Sequence, residues 1–171
     1  MHKLPLEPNL TSQQRIHISV FIFIGIYMIY ELLSYGLNTK GHLILLAAIL
    51  GTSFFVILFF SKKGLAEKSG VTYNAVYLGD FLILKKKIDF NDKTACSVLK
   101  FKKSQKYPFF SAAKPDLAHE FNAFDIYLLN QRHTKKTKLF SLKKESNSKL
   151  AIDFLTNHTE LKHEIYSPNF S

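Results

Sequence analysis

The densest run of reactive side chains in this sequence is Lys85-Lys86-Lys87. Three consecutive ammonium groups attract phosphate and carboxylate. With Lys100, Lys102, Lys103 and Lys106 on the following segment, they are expected to build a basic surface across neighbouring strands. Two uses of such a surface stay open. It can read anionic lipid head groups, at about 1 kcal/mol per lysine near a charged leaflet. It can also be a solvated face that keeps an edge strand from pairing with other chains. Nucleic acid is not expected as a partner, although the pI is about 9.6. Arg15 and Arg132 are the only arginines, and bidentate readers of bases and phosphates favour arginine. No helix-turn-helix, zinc-finger or RNP-like pattern occurs.

Other reactive residues are scattered. Seven histidines form neither H-x-x-x-H nor H-E-x-x-H. His119-Glu120 and His163-Glu164 are adjacent pairs, which in strands point to opposite faces and read as ordinary surface. Cys96 is the single cysteine. It excludes an internal disulfide and a cysteine-built zinc site, and its alternation with Val98 suggests a small buried filler. Ser111 lacks a G-x-S-x-G context. There is no G-x-x-x-x-G-K-[ST] and no G-x-G-x-x-G. No catalytic residue, metal site or cofactor is expected, and the chain does not read as an enzyme.

The elements that must carry these residues fall into two halves. Residues 16–60 are interrupted by only Glu31 and Lys40, whereas residues 61–171 hold +9 of the chain's net +10. Residues 16–37 and 42–60 are long and apolar enough to cross a bilayer, which takes roughly 20 helical residues. The link 36–41 is too short for anything but antiparallel neighbours. The first run exceeds the h-region of a signal peptide and has no A-x-A site after it. Lys3 and Arg15 before the first span, and Lys62, Lys63 and Lys68 after the second, outnumber Lys40 in the link. That bias predicts both termini on the cytoplasmic side.

Tyr27, Glu31 and Tyr35 share one helix face at i, i+4 and i+8. Near the outer end of the span they suit an interfacial belt. A proton path through Glu31 would need a partner in the second span. Thr52 and Ser53 are the only candidates there, and they lie near mid-depth. Gly25 and Gly51 are expected where the helices approach closely.

From residue 71 the period changes to two. VTYNAVYL, then FLILKKKIDF, then TACSVLKFKK read as strands separated by Gly79-Asp80 and Asn91-Asp92-Lys93 turns. In the second, Leu82, Leu84, Ile88 and Phe90 form the expected buried face. Pro108 and Pro115 make residues 104–119 a loop or edge segment. EFNAFDIYLLN and KTKLFSLK resume the alternation. A helix follows, capped by Ser146 or Ser148, with Leu150, Ala151, Phe154 and Leu155 as its apolar stripe and a stop at Asn157. LKHEIY suits a last short strand. The expected fold is a membrane α-helical hairpin plus a mostly antiparallel β domain of five or six strands. Its expected divisions are a cytoplasmic tail over 1–15, spans over 16–37 and 42–60, the β domain over 66–166 and a tail over 167–171.

Residues 43–60, 71–101 and 121–155, taken together, resemble the bacterial membrane-anchored pleckstrin-homology-like (PH-like) proteins. The resemblance rests on the order of elements. It implies a seven-stranded bent barrel or sandwich capped by the helix near 150–157, with the strand not visible in the alternation lying near 107–110. It also implies an inner-membrane protein that acts as a binding module for a protein partner or a second copy of itself. Tyr107, Phe109, Phe110 and Lys114, aromatics and a lysine beside prolines in a loop, are the candidate partner surface. In eukaryotic relatives of the fold, basic residues near the first strands bind phosphoinositide heads. The resemblance therefore adds an anionic-lipid role for Lys85, Lys86 and Lys87. Lys62 and Lys63 are expected at head-group level. A link of about seven residues, roughly 25 Å when extended, is expected between the second span and the first strand.

Overall fold

The computed structural model describes residues 1–34, 37–106 and 118–169. The chain divides into two compact units. One comprises Pro8–Lys62 and Tyr77–Phe81; the other comprises Met1–Glu7, Lys63–Val76 and the described residues from Leu82 onward.

In the first unit two helices run from Ser12–Ser34 (α1) and Thr39–Phe60 (α2). Both are long and apolar enough to span a membrane, and neither is buried by protein. They are apolar all round, which suits lipid rather than water. Helix α1 starts with a reciprocal cap: Gln14 N–H donates to Thr11 Oγ1, and Thr11 N–H donates to Gln14 Oε1. Asn38 Oδ1 caps α2 by accepting from Gly41 N–H at 2.9 Å. The helices pack through Phe21 on Phe55, with ring centroids 5.4 Å apart, and through Gly25. A Cβ at Gly25 would sit 2.2 Å from Thr52 Oγ1, so only glycine permits this approach. Gly51 differs from expectation. Nothing lies within 4 Å of a Cβ added there, so it takes no part in the helix contact.

Strand β1 (His2–Pro8) precedes α1, and β2 (Ser61–Lys68) starts directly after α2. The stretch read as a tail is therefore partly a strand, and the expected seven-residue link does not exist. In the first sheet the order is β1-β2-β3-β4, with β3 at Val71–Leu78 and β4 at Phe81–Lys87. β1 and β2 are direct neighbours. Asn9 N–H donates to Ser61 O at 2.9 Å, and Gly64 lies against the Leu4 carbonyl, where a Cβ would meet the oxygen at 2.1 Å. One index falls as the other rises, so the pair is antiparallel. The helical hairpin occupies the place of the turn in this β-hairpin. Ser69 and Gly70, at φ 54° and 76°, make the two-residue turn into β3.

The second sheet has order β7-β6-β5-β8, from β5 (Ala95–Lys106), β6 (Ala118–Leu129), β7 (Lys136–Leu142) and β8 (Lys162–His163). β5 pairs antiparallel with β6 over its whole length, and β8 adds a short parallel pairing at Ala95 and Cys96. Helix α3 (Glu145–His158) lies between β7 and β8 in the chain. The core gathers Phe124, Ile126 and Leu128 of β6, Phe140 and Leu142 of β7, Leu65 of β2, and Ala151, Ile152, Phe154 and Leu155 of α3, with Leu4 and Leu6 of β1 half-buried against it.

Three expectations change here. The sheets are not closed into a barrel, since closure needs the last strand paired back to the first. Among the described residues there are eight strands: β1 and β2 join those expected, and β8 falls within the expected last strand LKHEIY. The α3 stripe is rotated: Leu150 is half-exposed while Ile152 is buried. Lys144, rather than a serine, occupies the cap position, with no side-chain cap of its own, and the helix ends at His158.

Candidate membrane-surface site

β4 is an edge strand of the first sheet. Ile88 N–H closes its pairing with β3 by donating to Thr72 O at 3.1 Å. Among the described residues nothing covers its faces as a core would. Phe81 is 79% exposed and Leu84 65%, and Lys85, Lys86 and Lys87 are all exposed. The expected buried face of Leu82, Leu84, Ile88 and Phe90 is therefore only partly realised. Ile88 is buried, Leu82 and Phe90 are half-buried, and Leu84 faces out. An edge strand without a second layer has no inside on which alternation can act. Lys85 Nζ lies 4.9 Å from the centroid of the Tyr73 ring on the adjacent strand, a cation–π contact.

Lys100 and Lys102 are exposed on β5, with Lys100 Nζ 5.8 Å from the Phe124 ring. β4 and β5 belong to different sheets. The single basic surface across neighbouring strands is thus replaced by two separate lysine strands. Tyr107, Phe109, Phe110 and Lys114, with the strand expected near 107–110, lie outside the described residues, as do Ser111 and Tyr35. The flanking register is clear. β5 and β6 pair through Lys106↔Ala118, whereas β7 pairs with β6 only from Phe124 onward. The six pairs from Phe101↔Ala123 to Lys106↔Ala118 form a two-stranded ribbon beyond β7 and β8.

Lys62 is exposed, but Lys63 is half-buried and its ammonium donates to the Ser141 carbonyl. Burial pushes the Lys63 pKa below its ordinary value; the Glu7 carboxylate opposes that shift and Lys143 adds to it. Glu7, 5% exposed, is the group that sequence reasoning missed. Its carboxylate accepts from Lys143 N–H at 2.7 Å, Lys144 N–H at 2.8 Å and Asn147 Nδ2 at 3.1 Å. It supplies from β1 the anionic cap that α3 lacks, where the helix dipole favours negative charge. Asp125, also buried, accepts from Lys138 Nζ at 2.6 Å and from Ser141 Oγ. Ser141 thus meets Asp125 through its hydroxyl and Lys63 through its carbonyl. A glutamate in HKLPLEP carries no local signal of this role, because its partners lie over 130 residues away.

Two histidines are more than surface. His133 is buried; its ring Nε2 lies 2.8 Å from Glu164 Oε2 and its Nδ1 accepts from Ser167 N–H at 3.1 Å. The Nε2–H tautomer satisfies both contacts. His158 stacks on Phe154, with centroids 4.4 Å apart, and meets the His2 ring at 4.8 Å with the planes tilted by 49°. His2 and His158 line an open cleft of about 790 Å³ with Glu67, Phe90 and Lys93. Among the described residues no group of three or more His, Cys, Asp or Glu is placed to hold a metal. Cys96 is fully buried, and burial pushes its thiol up to about 11. No protein-family model, curated protein or solved structure matches the chain.

Proposed function

We propose that this chain is a membrane-anchored binding module whose lysine edge strand engages an anionic lipid surface. The exposed β4 strand carries this reading. It presents three consecutive lysines on an unlayered edge, in a chain whose first unit holds two helices fit to span a bilayer. Each lysine near an anionic leaflet contributes about 1 kcal/mol, screened by salt. Two four-stranded sheets followed by a helix support a PH-like sandwich as the finer fold reading. Lys3, Lys62 and Lys68 outside the helices and Arg15 in the first turn of α1, against Lys40 in the first turn of α2, support a bacterial inner-membrane protein with both termini cytoplasmic.

The test uses the full chain in nanodiscs. Amide exchange along β4 should slow when phosphatidylglycerol replaces neutral lipid, and high salt should restore it. Equal exchange in both lipids, or an unchanged response after Lys85, Lys86 and Lys87 all become Gln, would overturn the lipid reading.

A second reading rests on the β5–β6 ribbon. It carries residues 107–117 at the end of six pairs that β7 and β8 leave behind. A projecting ribbon suits a docking arm for a protein partner or a second copy. Crosslinking in native membranes should capture such a partner, and changing Tyr107, Phe109, Phe110 and Lys114 to Ser should abolish the capture.

A further inference from the structure

We infer that the start of β4 is a third membrane anchor: Phe81 enters the head-group and acyl boundary of the leaflet beside α2. The inference rests on the membrane-anchor reading and adds an apolar contact to it. Phe81 is among the most exposed large apolar residues of the protein, at 79%, and Leu84 is 65% exposed three residues on. Phe81 belongs to the same compact unit as α1 and α2.

The hairpin geometry explains why. β2 and β3 are eight residues each and joined by the two-residue turn at Ser69-Gly70. Their far ends, Ser61 and Leu78, therefore lie side by side. Gly79 and Asp80 then make the second two-residue turn, Gly79 at φ 59°, and set Phe81 beside Leu78. Phe81 thus sits two strand spacings from Ser61, roughly 10 Å. Ser61 directly follows Phe60, the last residue of α2, itself 57% exposed. A large apolar side chain at the level where a spanning helix ends lies at the lipid boundary.

The order of residues along β4 fits that boundary. Apolar Phe81, Ile83 and Leu84 come first, and Lys85, Lys86 and Lys87 follow. Lysines at that depth lay their stems along apolar surface and keep the ammonium among phosphates. The same logic limits depth. An edge strand has unpaired backbone groups, which hydrocarbon does not tolerate. The backbone must stay in the hydrated head-group layer while the Phe81 side chain reaches below it. A second copy is a poorer occupant, because antiparallel pairing of two β4 edges about Leu84 would set each lysine opposite Phe81, Leu82 or Ile83.

The protein has no tryptophan, so single-tryptophan variants of the full chain report depth cleanly. Phe81→Trp and Phe54→Trp in α2 are reconstituted in vesicles of phosphatidylethanolamine and phosphatidylglycerol. Bromine is carried high on the acyl chain or near its end. An indole about 5–10 Å into the boundary should lose roughly half its emission to the shallow bromines. The inference expects this loss for Phe81→Trp and deep quenching for Phe54→Trp. Unquenched Phe81→Trp beside a quenched Phe54→Trp would overturn the third anchor alone. Blue-shifted yet unquenched emission would assign the surface to protein and overturn it equally. An unquenched Phe54→Trp would overturn the membrane anchor itself and the inference with it. Phe81→Cys, labelled with a fluorophore at its exposed thiol while Cys96 stays buried, keeps the test valid should Phe81→Trp not fold.

Discussion

The two sheets have the same number of strands and opposite histories. The second is assembled mostly from neighbours in sequence: β5, β6 and β7 follow one another and pair in that order. Its inward residues, Ile126, Leu128 and Leu142, are essentially inaccessible. The first sheet begins on strands separated by both membrane helices and ends on β4, which buries almost nothing. Core packing holds the second sheet. The first shares that core through Leu65, Leu4 and Leu6 and adds the polar contacts of Glu7 and Lys63. Local pairing with a covered face yields a stable core, whereas a sheet built around an insertion keeps one edge for another surface.

The sharpest test of this contrast removes the insertion. Asn9 and Ser61 already pair, so an Asn-Gly turn replacing residues 10–60 should leave both strands in register. The product is expected to be soluble, monomeric in gel filtration and cooperatively folded by circular dichroism. The fragment from residue 66 onward should fail the same assay, since it lacks Glu7 and Leu65. A folded fragment would show that β1 and most of β2 are dispensable.

Next come truncations of equal chemistry in the two sheets. Ile126→Ala should cost about 2–5 kcal/mol of unfolding free energy in the water-soluble form, measured by urea titration. Leu84→Ala should fall within about 0.5 kcal/mol there, because Leu84 is largely exposed. Comparable losses would mean that β4 is covered after all.

Glu7→Ala probes the tie between the sheets. It removes an acceptor for two backbone N–H groups and Asn147, and should cost about 1.5–3 kcal/mol in the same titration. Lys63→Met should cost less, about 1 kcal/mol: the Ser141 carbonyl loses its donor, and removal of a desolvated ammonium offsets part of that loss. A loss as large as that of Glu7→Ala would make the two groups equal ties. For topology, Lys62 and Lys68 are the cleaner charges to reverse: changing both to Glu should yield mixed insertion, read by a reporter after Ser171.

The smallest effect concerns Cys96. Its folded thiol titrates near 11 rather than 9.0, so it stays protonated while an unfolded chain would begin to ionise. Stability from this group is complete below pH 9 and declines as pH rises toward 11. Maleimide labelling of the native protein at pH 8 should be slow and should become fast in urea. Rapid native labelling would mean that β5 opens readily.

What the sequence disclosed divides along the same line. The spans, β3 through β7 and the late helix stand out because apolar runs and alternation are local signals. β2 was hidden because SKKGLAEK opens with charge and follows a membrane span, yet Leu65 and Ala66 are fully buried. β1 was hidden because HKLPLEP holds two prolines, which an edge strand tolerates. Glu7 and Asp125 owe their roles to partners distant in sequence, which no window of residues contains. β4 misled in the opposite sense: its alternation was real, but no second layer was there to bury it.

The placement of the helices between two adjacent strands sets an order of synthesis. β1 is made first and has no β2 to pair with until residues 9–60 have been translated, roughly 3–10 s later at about 5–20 residues per second. If the helices cross a bilayer, β2 reaches β1 only when both cross or neither does, since a single crossing would strand the two on opposite sides. Completion of the first sheet, and with it the Glu7 cap on α3, therefore requires both ends of the helical hairpin on one side. A single crossing would leave β1 unpaired and α3 without its cap.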